Sequence, residues 1–191
     1  MKLVPTLFLS GAADKHRRWV ALAVAAQVLF ILLVAGAGSA ISSYGRAVVL
    51  RTSPVDPRDL LYGDYVTLNY DVSQLPRPLW RGSEAPRRHR PVYVELRPTS
   101  AGYYEAVAVY PAEPASLPAD HVALRGWIVN VWRQGLQLRY GLERYYVPEG
   151  EGRKLERRAG RQPLLVHVSV APWDQSRITR VEIAPKPAER P

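Results

Sequence analysis

The chain has 191 residues, 47% of them hydrophobic, with 26 Lys and Arg against 17 Asp and Glu for a formal charge of +9. That is enough apolar material for one ordinary domain plus an appendage, and the absence of cysteine excludes a disulfide framework, a thiolate zinc site and a cysteine nucleophile. The positive charge is spread rather than clustered: residues 1–41 hold Lys2, Lys15, Arg17 and Arg18 against Asp14, and the rest holds 22 bases and 16 acids, so no nucleic-acid partner is expected.

Residues 1–18 form a basic amino-terminal segment. From Trp19 to Ile41 the chain then runs for 23 residues without a charge, with Gln27 as its only strongly polar side chain. As a helix this stretch would be ~34 Å long, enough to cross a hydrocarbon core of ~30 Å with some tilt. Lys15, His16, Arg17 and Arg18 precede it and the first base after it is Arg46, a bias that keeps the amino end in the cytoplasm. The expectation is a single-pass protein of the cytoplasmic (inner) membrane, anchored in the bilayer through residues 19–41, with residues 42–183 outside. The alternative is a cleaved signal peptide, for which Ala35, Ala37 and Ala40 supply small residues; the apolar regions of such peptides run to only ~7 to 15 residues. The run Ala35 to Ala40 would also let a second helix approach closely.

Beyond the anchor, apolar positions recur with period two and Pro or Gly punctuates the chain. Candidate strands cover 46–52, 64–71, 92–97, 103–110, 121–132, 136–147, 164–170 and 177–183. Short strands separated by turn signals predict a mainly β domain, an antiparallel sandwich or partly open barrel with one or two short helices. Local hairpins are expected between 92–97 and 103–110 and between 121–132 and 136–147. The stretch 76–91, rich in Pro and Arg, reads as a mobile loop whose Arg87, Arg88, His89 and Arg90 either contact anionic groups or are simply solvated. Residues 151–159 order their acids before their bases as a short helix would, with Gly160 to end it. Residues 184–191 read as a disordered tail.

Residues 56–70, DPRDLLYGDYVTLNY, are the most informative stretch. Asp56 suits a helix N-cap, Pro57 the first helical position and Asp59 a capping-box acid, and Gly63 closes the turn. In the strand that follows, Asp64, Val66, Leu68 and Tyr70 share one face, and the apolar pair turns that face inward.

The run Gly63-Asp64-Tyr65-Val66-Thr67-Leu68-Asn69-Tyr70 resembles the GDYXXLXY family at every fixed position. A second run from Tyr140 to Gly150, with Glu143-Arg144-Tyr145 and Pro148-Glu149-Gly150, is similar to that family's later signature. The resemblance covers about 17–183 and implies a membrane-anchored bacterial protein. Its site residues would be Asp59, Gly63, Asp64, Tyr65, Leu68, Tyr70, Glu143, Arg144, Tyr145 and Glu149, either as a fold-holding signature or as a groove. In the first reading Asp64 accepts backbone N–H groups or pairs with Arg144; in the second Asp64, Tyr65, Arg144 and Tyr145 line a ligand groove. Glu143 and Arg144 are expected on opposite faces of one strand.

Enzymatic readings find little support. PRDLLYGDYV loosely resembles the run after the nucleophile of signal peptidases, but Val55 stands where the serine would fall and Ser53 is two residues early. The only lysines beyond the anchor are Lys154 and Lys186, so no buried amine is at hand as a base. His89, His121 and His167 lack paired ligand spacing, so neither a metal nor a cofactor is expected. An envelope hydrolase using Asp64 with Glu143 or Glu149 is the alternative, and needs carboxyls roughly 5 to 9.5 Å apart. The preferred expectation is a non-enzymatic interaction or accessory module with a membrane-protein partner.

Overall fold

A computed structural model describes residues 10–53, 65–146 and 162–184. The chain divides into two units, Met1–Ala40 and Ile41–Pro191. In the first, helix α1 (Ser10–Tyr44, whose last turn belongs to the second unit) carries a stretch, Lys15–Gly36, long and apolar enough to cross a membrane. None of that stretch is buried: Leu22, Phe30 and Leu33 stand more than half exposed. A helix apolar all round its girth with no protein against it has no other means of burying that surface than lipid or a partner helix.

The second unit is built of antiparallel strands: β1 (Arg46–Arg51), β2 (Tyr65–Thr67), β3 (Gln74–Pro76), β4 (Pro91–Pro98), β5 (Tyr104–Tyr110), β6 (Val122–Val131), β7 (Gly135–Arg139), β8 (Arg144–Tyr146), β9 (Leu164–Val170) and β10 (Ser176–Ile183). They form a five-stranded sheet of order β3-β7-β6-β4-β5, a three-stranded sheet β1-β9-β10 and a two-stranded ribbon β2-β8. The result is mostly β and nearly closed into a barrel. Alternation decides what lies inside. Val48 and Leu50 of β1, Val92, Val94 and Leu96 of β4, and Val166 and Val168 of β9 are all essentially inaccessible, while their sequence neighbours face outward. Each such side chain contributes about 1.5–3 kcal/mol relative to an exposed position.

Two isolated bridges add to these pairings. Thr52, at the end of β1, bridges to Tyr70, and its hydroxyl accepts the Leu164 N–H at 2.8 Å while its own N–H donates to the Leu164 carbonyl at 2.9 Å. Trp80 bridges to Val109 of β5 and packs against the core.

Both expected hairpins are present, as β4-β5 and β6-β7. Three expectations need correction. The strand read over 136–147 is two strands, because after β7 the chain turns through Tyr140–Glu143 with Gly141 at φ +81°, a left-handed conformation that glycine adopts without strain. The strand read over 64–71 pairs as a ladder only over Tyr65–Thr67. The loop read over 76–91 is tied down: β3 ends in it, a 3-10 turn follows (Arg77–Leu79), the Arg81 N–H donates to Val109 and the His89 N–H to Ile128. Proline masked this order, since a short strand and a 3-10 turn carry no periodic signal. Arg88 in that segment donates to the Asn130 side chain. The expected helix at 151–159 and the tail beyond 184 lie outside the described residues, as does the expected turn at 56–63.

Candidate functional site

The two signature runs are hydrogen-bonded to each other. In the β2-β8 ribbon Tyr65 pairs with Tyr146, Val66 with Tyr145 and Thr67 with Arg144, and one step further the Leu68 N–H donates to the Glu143 carbonyl at 2.8 Å. The expected inward face is realised in Val66, Leu68 and Tyr70, each no more than 2% exposed. Tyr70 then donates its hydroxyl to the Leu142 carbonyl at 2.6 Å, and Tyr140 donates to the Val72 carbonyl at 2.5 Å. Burial, with a smaller push from the Glu143 charge, drives both phenols far above their usual range, so they act only as neutral donors.

Glu143 does not lie on a strand face opposite Arg144; it stands in the turn before β8. Its carboxylate accepts the N–H groups of Tyr140 at 2.5 Å and Gly141 at 3.0 Å, one on each oxygen. A carboxylate held by two backbone donors serves as a turn cap, and is poorly placed to shuttle protons. The Arg144 side chain is exposed, and Tyr145 is half-buried against the core. Asp59, Gly63, Asp64 and Glu149 lie outside the described residues, and of Tyr65 only the backbone pairing is described. The structure thus brings Leu68, Tyr70, Glu143 and Tyr145 together around one ribbon.

A second constellation escaped sequence reasoning. Glu95 sits on the outer face of β4 with Tyr93 and Arg97, yet is only 8% exposed. One of its oxygens meets His121 Nδ1 at 2.5 Å, and the other accepts the Tyr110 hydroxyl at 2.8 Å. Burial pushes the Glu95 carboxyl up, but the bonds from His121 and Tyr110 and the nearby charges of His121 and Arg81 outweigh it and hold the group below its usual range. An ionised carboxylate can only accept, which assigns the Nδ1 proton to His121, whose Nε2 lies 3.9 Å from an Asp120 oxygen. Beside it, Asp174 accepts the Tyr93 hydroxyl at 2.7 Å and faces Arg125 at 3.5 Å. His121 and Asp174 both line a groove of about 510 Å³, which Tyr44, Arg46 and the proline-rich segment 113–119 complete. No local motif announces this cluster. Tyr110 reaches Glu95 across one strand pair, and His121 reaches it from the residue before β6, so the cross-strand register alone assembles the group.

A family model described as "GDYXXLXY protein" matches residues 27–181, most of the chain. No curated protein and no solved structure matches it.

Proposed function

The chain belongs to the GDYXXLXY family, and from that premise we propose that it is a membrane-anchored β domain of a bacterial envelope, acting as a non-enzymatic interaction or accessory module for a membrane partner. The observation that carries this reading is the uncovered apolar girth of α1 from Lys15 to Gly36. Lys15, Arg17 and Arg18 at its start favour an amino end in the cytoplasm and a β unit on the opposite side of the inner membrane. Commitment of Leu68, Tyr70 and Glu143, among the described signature residues, to holding the fold supports a module rather than an enzyme. Glu143, one of the acids considered for hydrolysis, is committed to two backbone N–H groups.

A reporter active only outside the cytoplasm, fused after Pro191, tests the topology: it works if the β unit is exported, and silence overturns the orientation. Release of the β unit into the soluble fraction would instead identify a cleaved signal. Crosslinking in intact membranes then tests the role, with recovery of a discrete membrane-protein adduct as the expected result.

A further inference from the structure

The helix passes into the sheet through a single residue. α1 ends at Tyr44 and β1 begins at Arg46. The Ile41 carbonyl accepts both the Gly45 N–H at 3.0 Å and the Ser169 hydroxyl at 2.7 Å, which ties the last helical turn to β9. Tyr44 stands three helical residues beyond Ile41, where the strongly apolar stretch ends, or ~5 Å along the axis. On the anchor reading, on which this inference rests, that is the depth of the lipid headgroups, where tyrosine and tryptophan rings settle. Tyr44 is 75% exposed, and Trp173, in the turn between β9 and β10, is 47% exposed.

The groove of about 510 Å³ is lined by Tyr44, Gly45 and Arg46, so it lies at this same junction. Its lining is divided in charge. Arg46 donates to the carbonyls of His121 and Ala119, which uses two of its five N–H groups and leaves three. Glu113, which is exposed, and Asp174, one oxygen of which already meets Tyr93 and Arg125, supply carboxylates. Leu117 and Pro118 add apolar surface. A site that presents a cation, anions and an apolar wall at headgroup depth complements a ligand carrying an ammonium and a phosphate beside an acyl-glycerol body.

We propose that this groove binds the headgroup of a zwitterionic, amine-bearing phospholipid, with its phosphate beside Arg46 and its ammonium between Glu113 and Asp174. The β unit is thereby held on the bilayer surface in one orientation, its groove closed by lipid.

The test uses the full chain in detergent micelles with phosphatidylethanolamine, phosphatidylcholine and phosphatidylglycerol added in equal amounts, and retained lipid is read by native mass spectrometry. Phosphatidylethanolamine is expected to be retained over the anionic lipid, and Glu113→Gln, a change at an exposed side chain, to lower that preference roughly fivefold, the scale of one exposed charge contact. Equal retention of all three lipids, or a preference that Glu113→Gln leaves intact, overturns the proposal. Inorganic phosphate in excess should not displace the lipid; displacement would identify a simple anion site and overturn the lipid assignment. Flotation of the full chain with vesicles separates the two levels: a chain that does not float fails as an anchored protein, whereas one that floats without lipid preference fails only in its groove.

Discussion

Tyr70 and Tyr140 are reciprocal: each buries its ring and donates its hydroxyl to the backbone carbonyl two residues beyond the other, Tyr70 to Leu142 and Tyr140 to Val72. The two signature runs are thereby locked at a second level, inside the ribbon that β2 and β8 already form. Neither carbonyl has water to turn to at these depths, so the tyrosines are required as donors and not only as bulk.

Removing either hydroxyl should therefore cost more than an exposed hydrogen bond. Tyr70→Phe and Tyr140→Phe are each expected to destabilise by about 1–3 kcal/mol, a drop of roughly 2–4 °C in Tm per kcal/mol for a chain of this size. Since the two bonds close one loop of structure, the double variant should lose less than the sum. Both phenols are raised above their unfolded range, so their contribution is intact below about pH 10 and is lost as pH rises beyond it. Thermal melts of the full chain in micelles at neutral and alkaline pH read all three effects; strictly additive losses would show that the two bonds are independent.

Glu143 and Arg144 are neighbours with different work, and substitution should separate them. Glu143→Ala removes the acceptor for two backbone N–H groups and is expected to cost about 1–2 kcal/mol, as loss of a cap does. Arg144→Gln, at an exposed side chain, should change stability by less than about 1 kcal/mol. A loss of several kcal/mol in the Arg144 melt would instead reveal a buried ion pair, as the fold-holding reading of Asp64 and Arg144 requires.

Much of the fold was legible because a half-buried strand writes its burial into alternate residues. Val66, Leu68 and Tyr70 could be turned inward on that pattern alone, and the hairpins β4-β5 and β6-β7 followed from strands separated by short turns. The break at Gly141 was not legible, since a run of Leu, Tyr and Val continues on both sides of it and a lone glycine within a strand pattern does not say whether the chain bulges or turns. β3 escaped for the opposite reason: at three residues it is too short to show a period. The Glu95 cluster escaped because its members lie on separate elements and become neighbours only once register is set, which no local pattern encodes.

The junction at Gly45 makes a steric prediction. A Cβ there would lie 2.0 Å from Ser169 Oγ and 2.4 Å from the Ile41 carbonyl oxygen, far inside contact distance, and the second of these atoms is backbone and cannot step aside. Gly45→Ala is expected to cost about 1–3 kcal/mol, as overpacking does. Adding Ser169→Ala removes one obstacle and should recover part of that loss. If Gly45→Ala melts like the parent chain, the helix end is not fastened to β9 as described.

The acid limb of the stability curve should belong in part to Glu95. Its folded carboxyl titrates below the ordinary glutamate range, so the unfolded chain takes up the proton first as pH falls. The sign is then fixed: the stabilisation is fully present above the unfolded value, and is lost as pH drops from about 5 through the depressed folded value. Glu95→Gln removes the titrating group, and its melting temperature should fall less steeply over that window than that of the parent chain. Tyr110→Phe tests the cause, because it deletes one of the bonds that hold the carboxyl down while leaving the ring in place. In that variant the acid loss should begin at higher pH, nearer the ordinary glutamate value. A Tyr110→Phe curve that merely shifts downward at every pH would mean that the hydroxyl stabilises the fold without setting the charge state of Glu95.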